Sequence, residues 1–158
     1  MNKKYEFVPG DEIVIAPGRT VKRIRALVAI SFLASPGTLG GYIESEKSLD
    51  ETGNAWVSGD ARVSGNARVS GNALVSGDAR VYGDGLVVWF SHVGTENGTL
   101  TVYNTKDNTL EVIRGCFRGT IDEFLAASEK THDDQTHLEY RMLIEVAYSR
   151  ITRARSKT

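Results

Sequence analysis

Arginine, histidine and one cysteine are the residues here whose types suit chemistry at a site. Arg23 and Arg25 stand two apart, and Arg114 and Arg118 flank the kink Gly115-Cys116-Phe117. A guanidinium fork holds carboxylate or phosphate in a bidentate grip, so paired arginines beside irregular backbone suggest anion binding. The plainer alternative is arginine on a β surface, where it solvates the face and protects the edge. His92 lies in SHVGTENGT, where it has the chemistry of a general base, or is a loop histidine with no role. Gly94 and Gly98 lie in the loop 91–98, where successive backbone N–H groups can cradle an anion, although Glu96 in the same loop opposes it. His132, Asp133, Asp134 and His137 have ligand chemistry, yet aspartates between helices are usually caps. No metal or cofactor is expected, and His132 and His137 stand only as secondary metal candidates. Cys116 has no histidine or aspartate partner nearby in sequence and reads as a small buried hydrophobe. The expected ligand-binding set is Arg23, Arg25, His92, Gly94, Arg114 and Arg118. No catalytic set is expected, His92 being the one candidate base.

These side chains need a scaffold, and the chain announces one. Residues 53–88 write one six-residue phrase six times: GNAWVS, GDARVS, GNARVS, GNALVS, GDARVY, GDGLVV. A strict short period implies a solenoid in which each phrase is one flat side of a coil. Alternation along a strand points the third residue (Ala, or Gly85 in the last copy) and the fifth (always Val) inward. The fourth, Trp56, Arg62, Arg68, Leu74, Arg80 or Leu86, points outward. Gly-Asn or Gly-Asp supplies the corner, where both residue types tolerate left-handed angles. Three sides make a coil of about 18 residues, with strands stacked about 4.8 Å apart. The phase extends weakly backward, placing Leu39 at the Val position and Ile43 at the Ala position. Residues 47–52 read as a loop or bulged side, since Glu51 would otherwise point inward.

The pattern resembles the left-handed parallel β-helix built from hexapeptide repeats. More narrowly, LGGYIESEKSLDETGNAWVSGDARV, followed by TLTVYNTKDN, GCFRGTIDEF and a TH-containing helical tail, is similar to small phage and prophage proteins. Those are labelled polymer-forming or hexapeptide-transferase-like, and the similarity runs from about Val21 to Ile151. It implies a left-handed β-helix, and for a transferase it implies a histidine in a cleft between subunits. The coils contain no histidine; His92 lies just beyond the last one. In outline the coil also resembles γ-class carbonic anhydrases, which hold a metal with three histidines across a trimer. His92, His132 and His137 are three in number, but none lies on a coil. A repeat is a scaffold and not a site, so the label "transferase" does not carry over by itself.

Around the coils, composition marks four segments: N-terminal strands as a cap (1–36), the β-helix (37–88), a loop and β-hairpin (89–118), and a helical end (119–158). In the first, KKYEFV, EIVIA and TVKRIRALVAISF are strand-like and broken by Pro9-Gly10 and Pro17-Gly18. In the third, Leu100 and Val102 lead into a turn at 105–108, and Leu110 and Val112 return. In the last, Thr120 and Glu123 form a capping box, residues 131–134 interrupt, and Leu138, Met142, Leu143, Val146, Ala147 and Ile151 keep helical spacing. The fold class is therefore mainly β: a short left-handed parallel β-helix with N-terminal strands, a C-terminal hairpin and two C-terminal helices. The helices are expected to cover the last coil or the hairpin.

Net charge of −1 gives no general pull toward nucleic acid or membrane. No apolar run is long enough to span a bilayer, the N-terminus MNKKYEFVPG is unlike a signal peptide, and a single cysteine suits a reducing cytosol. The expected location is the cytoplasm of an infected or lysogenic bacterium. Outward Trp56, Leu74 and Leu86 call for burial between subunits, so a homo-oligomer, a trimer, is expected. The expected function is binding without catalysis: a phage accessory protein that takes a host protein or a small anionic, nucleotide-like ligand, with counter-defence by sequestration as one form. The alternatives are an acyl-CoA-dependent transferase using His92, and a structural or assembly protein of the virion.

Overall fold

The computed structural model describes residues 3–156. β1 (Tyr5–Ala16) and β2 (Arg19–Ala26) form an antiparallel hairpin whose turn is Pro17-Gly18, with Gly18 at φ +74°. Pro9-Gly10 does not divide two strands as expected. It sits in a register shift between Phe7 and Glu12 inside one strand. That is tolerable because β1 is an edge strand, where a missing N–H costs no ladder bond.

β2 pairs antiparallel with β3 (Leu39–Ile43), and there the sheet changes character. The repeats supply β4 (Trp56–Val57), β5 (Arg62–Val63), β6 (Leu74–Val75) and β7 (Arg80–Val81). β3, β5 and β7 stack in parallel as one side of the solenoid, so the N-terminal hairpin continues directly into its wall. Leu49 bridges Val69 in parallel on a second side, and β4 pairs with β6 on a third. Arg62 opposite Arg80 and Trp56 opposite Leu74 fix a coil of 18 residues. The first coil is longer: Tyr42 opposes Arg62, and Leu49 opposes Val69, 20 residues on. The backward phase read from sequence is therefore displaced by two. Ile43 occupies the Val position, aligned with Val63, and Leu39 is 53% exposed instead of inward. The extra residues lie in the bends after Leu49, where Glu51 turns out to accept the backbone N–H of Lys4 at 3.0 Å. The stretch 47–52 is an irregular side: the 3-10 turn Glu46–Ser48 leads into it and Leu49 alone bridges the next coil.

The inward positions behave as the period requires. Ala55, Ala61, Ala67, Ala73 and Ala79, with Val57, Val63, Val69, Val75 and Val81, are all at most 2% exposed. The corners Gly53, Gly59, Gly65, Gly71 and Gly77 have φ between +59° and +73°, whereas the Asn or Asp beside them stays out of the left-handed region. Glycine alone absorbs the corner strain.

The outward apolar residues correct the expectation built on them. Trp56 is 2% exposed and Leu86 fully buried, while Leu74 is half-buried. The chain covers them itself. A Cβ on Gly40 would fall 2.8 Å from the Trp56 ring, so β3 lies directly against the indole. Leu33, Ile113 and Phe117 enclose the same Trp56–Leu74 face. These residues give no argument for a partner subunit.

Past the coils, β8 (Val87–Val93), β9 (Gly98–Asn104), β10 (Leu110–Arg114) and β11 (Phe117–Thr120) form an antiparallel meander in the order β11-β10-β9-β8. The expected hairpin is its centre, β9 and β10 with Val102 opposite Val112, and a strand flanks it on either side. Its turn closes the open edge of the last coil: Ala79 bridges Thr105, and Lys106 N–H donates to Asp78 O at 2.8 Å. α1 (Ile121–Thr131) opens on the Thr120–Glu123 capping box, and α2 (Asp134–Arg155) on an Asp133 cap. α2 packs on β8 and β9, and α1 on β10 and β11. Gly85, the one departure from Ala at the third position, lies under α2: a Cβ there would meet Ala154 Cβ at 3.0 Å. Among the described residues the molecule is mainly β with two C-terminal helices, and no helix is long and apolar enough to cross a membrane.

Candidate functional site

The four arginines expected to face a ligand already have partners within the chain. Arg23 Nε pairs with Asp11 at 2.9 Å, its other nitrogens donate to Gly40 O at 2.8 Å and Tyr42 Oη at 2.6 Å, and its guanidinium lies 4.3 Å from the Tyr42 ring centre. Arg25 pairs with Glu6 at 3.1 Å. Arg114 donates to Tyr140 Oη at 2.9 Å, with Glu96 3.9 Å away, and its side chain is only 14% exposed. Arg118 lies 3.7 Å from Glu111 and donates to Ser76 Oγ at 3.3 Å. Arg23 and Arg25 hold the N-terminal sheet together, and Arg114 and Arg118 line different hollows. The four are structural clamps in this arrangement and not one surface of free cations.

His92 is exposed and sits at φ +61° in a register shift between Ser91 and Val93. Gly94 has a packing role: a Cβ there would lie 2.1 Å from Tyr140 Oη. His132 packs against the Tyr140 ring at 5.4 Å, and His137 Nδ1 lies 3.0 Å from Ser128 Oγ, tying α2 to α1. Among the described residues no three His, Cys, Asp or Glu side chains converge as metal ligands. Cys116 is exposed, not buried, because the tight Gly115 turn (φ +58°) between β10 and β11 turns it away from the core.

A different set of residues frames an open cleft of about 530 Å³ between the second solenoid side, β8 and α2. Arg68 reaches it from a coil, Trp89 from β8, and Arg150 and Arg153 from α2, with Gly85 and Asp84 in the wall. Arg150 and Arg153 share a helix face because they are three residues apart. The last two turns of a helix suit cations in any case, since the C-terminal end of its dipole is negative. Yet neither makes an ion pair among the described residues, and Arg68 reaches Asp50 only at 3.6 Å with its side chain 57% exposed. Three guanidinium groups thus face one lining carboxylate, beside an indole. That combination can grip an oxyanion with forked N–H groups and stack a planar group. Sequence reading missed Trp89, Arg150 and Arg153. The signal for them was the glycine at position 85, which breaks the repeat where α2 docks.

The family model of the YdcK β-solenoid repeat matches residues 55–71, 61–77 and 67–83. This is a β-solenoid repeat protein. The three windows advance by six residues, the length of one side, and they end just before the Gly85 break. No curated protein and no solved structure matches the chain.

Proposed function

We propose that the protein acts by binding, without catalysis, and that its ligand is a small anion carrying a planar group, of the nucleotide type, held in the cleft of Arg68, Trp89, Arg150 and Arg153. The observation that carries this reading is the convergence of three guanidinium groups from a coil and a helix beside one indole. Charge-assisted hydrogen bonds contribute roughly 1.5–3 kcal/mol each, so two of them supply about 3–6 of the roughly 8 kcal/mol that micromolar affinity needs, with stacking and the third guanidinium adding to it. The site moves from the arginines favoured by sequence to this cleft because those four are engaged internally.

The wider reading has the solenoid as a left-handed coil and the molecule as a homotrimer. It is a phage accessory protein of the bacterial cytoplasm that sequesters its ligand. Support for the hand and the origin is the resemblance of the hexads and flanking motifs. Support for self-association is now the stripe Leu138, Met142 and Val146 on α2, each between 46% and 49% exposed.

The test uses the chain's two tryptophans. Trp56 is buried, so a ligand in the cleft should quench Trp89. Titration with adenine and guanine mono- and dinucleotides should give saturable quenching, absent in Trp89→Phe and weakened at least tenfold in Arg150→Gln with Arg153→Gln. No saturable change across the panel rejects the reading. Turnover of acetyl-CoA lost in His92→Ala replaces it with the transferase.

A further inference from the structure

We propose that the outer face of the first solenoid side carries a second site, for a small tetrahedral oxyanion of the phosphate type, held between Arg62 and Arg80. It stands independently of the Trp89 cleft, on the other side of the coil.

Arg62 and Arg80 are direct partners in the parallel ladder of β5 and β7, so their side chains leave the same face one strand spacing apart. Like charges directly opposite on neighbouring strands repel and destabilise the pair. A folded chain ordinarily relieves this with a carboxylate, and the stack shows that relief one step below. Tyr42 precedes Arg62 in the ladder, and the arginine lying on its ring, Arg23, is neutralised by Asp11 at 2.9 Å. Arg62 and Arg80 have no such partner among the described residues. Arg80 donates to two backbone carbonyls, Asp60 O at 3.0 Å and Ala79 O at 2.9 Å. Arg62 Nε is buried with no hydrogen-bond partner at all.

The surrounding carboxylates do not fill the gap. Asp60 and Asp78 act on Arg80 only from beyond ion-pair distance, and burial together with Arg62 outweighs them, weakening Arg80's hold on its proton. Glu44 is committed to Arg19 through two bonds of 3.0 and 2.9 Å, and to Gly65 N–H at 2.7 Å. A buried donor with nothing to bond is costly, so an Arg62–Arg80 pair with no counter-charge is an unusual thing to keep.

The space in front of the pair suits an anion. An open hollow of about 240 Å³ lies there, bordered by Ile15 and Ala16 of β1, by Ser64 and Tyr82, and by Arg19, whose charge Glu44 already answers. The apolar part of this lining lowers the local dielectric and so strengthens a charge-assisted bond. Two guanidinium forks balance a dianion, and the volume admits a phosphate with a small substituent.

The experiment follows thermal unfolding in sodium phosphate against sodium chloride at matched ionic strength and pH 7.5. Wild type should melt higher in phosphate, by roughly 5–10 °C at about 100 times the Kd. Arg62→Gln and Arg80→Gln should lose that rise, while Lys130→Gln, an exposed cation on α1 away from both sites, keeps it. In chloride, Arg62→Gln should melt no lower than wild type, because the substitution removes repulsion. Equal melting of wild type in both salts overturns the site, as does a phosphate response that survives in both Arg62→Gln and Arg80→Gln. Arg62→Gln melting well below wild type in chloride also overturns it, since Arg62 would then be a structural clamp. Should a variant not fold, the ³¹P resonance of phosphate titrated with wild type decides: broadening that sulfate competes away supports the site, and an unaltered line rejects it.

Discussion

Glu44 shows how much one side chain can depend on partners that the sequence does not place beside it. The Arg19 fork, and then the Gly65 N–H, hold its carboxyl down at about 2, against an ordinary value of 4.5. The folded state therefore binds this proton less readily than the unfolded chain does. The stability that follows is complete above pH 4.5 and drains away as pH falls toward 2. The melting temperature of wild type should exceed that of Glu44→Gln at pH 7, and the gap should close on acidification across that window. A gap that is constant from pH 7 to 2 refutes the linkage. Gly94 makes a second case. Its loop was legible as glycine-bearing and irregular, but the reason for the glycine was not, because Tyr140 is distant in sequence. Gly94→Ala places a methyl against the Tyr140 hydroxyl and strains a backbone at φ +74°. We expect a loss of about 1–3 kcal/mol in urea unfolding. A change within error would mean that the loop yields and Tyr140 is not its anchor. The same blindness explains the arginines: residue type and spacing indicate guanidinium chemistry, but whether Asp11, Glu6 or a ligand answers it is decided by strand pairing.

At the scale of elements, much more was readable. The six-residue period named the corner and the inward pair, because alternation and glycine's freedom are local properties. A longer period lay in the same phrases. Every third fourth-position residue falls on one side, giving Trp56 with Leu74 and Arg62 with Arg80. Read at 18 residues, the apolar side is the one covered by the rest of the chain, and the arginine side is the one left open. Read at six, the same tryptophan and leucines suggested a subunit interface. Val69→Asp should unfold the coil, since it buries an unpaired charge at a fully buried position. Arg68→Ala, one residue away and mostly exposed, should cost at most about 1 kcal/mol. Melting curves that rank the two the other way would put the register in error. Where the repeat falters, at Gly85, the cause is packing: Gly85→Ala should loosen α2 from the last coil, visible as faster amide exchange in Tyr140–Ala154. What no local pattern announced were β8 and β11, whose residues alternate poorly and are fixed by neighbours on the meander.

For the whole molecule, the question is whether one chain is the unit that functions. The original ground for a trimer has gone, since Trp56 and Leu86 are buried within the chain. Another has replaced it. Leu138, Met142 and Val146 recur every fourth residue along α2, on one stripe of the helix, and each keeps nearly half of its surface in water. The opposite stripe, Tyr140, Ile144, Ala147 and Ile151, is buried against β8 and β9. α2 is thus apolar on two faces with only one covered, as expected of a helix that also serves an interface. The stripe runs beside Arg150 and Arg153, so association would bring copies of the cleft close together and multiply weak binding. In sedimentation equilibrium at micromolar concentration, wild type should give the mass of a trimer of the 17.3 kDa chain. Met142→Glu with Val146→Glu should give the monomer, with unchanged circular dichroism, because both side chains point away from the core. Association that persists in this double variant would place the interface elsewhere, on the exposed Val14 or Phe32 of the N-terminal segment. A wild type that stays at the mass of one chain would make α2's outer stripe a surface for a different protein, and each cleft would then have to bind its ligand unaided.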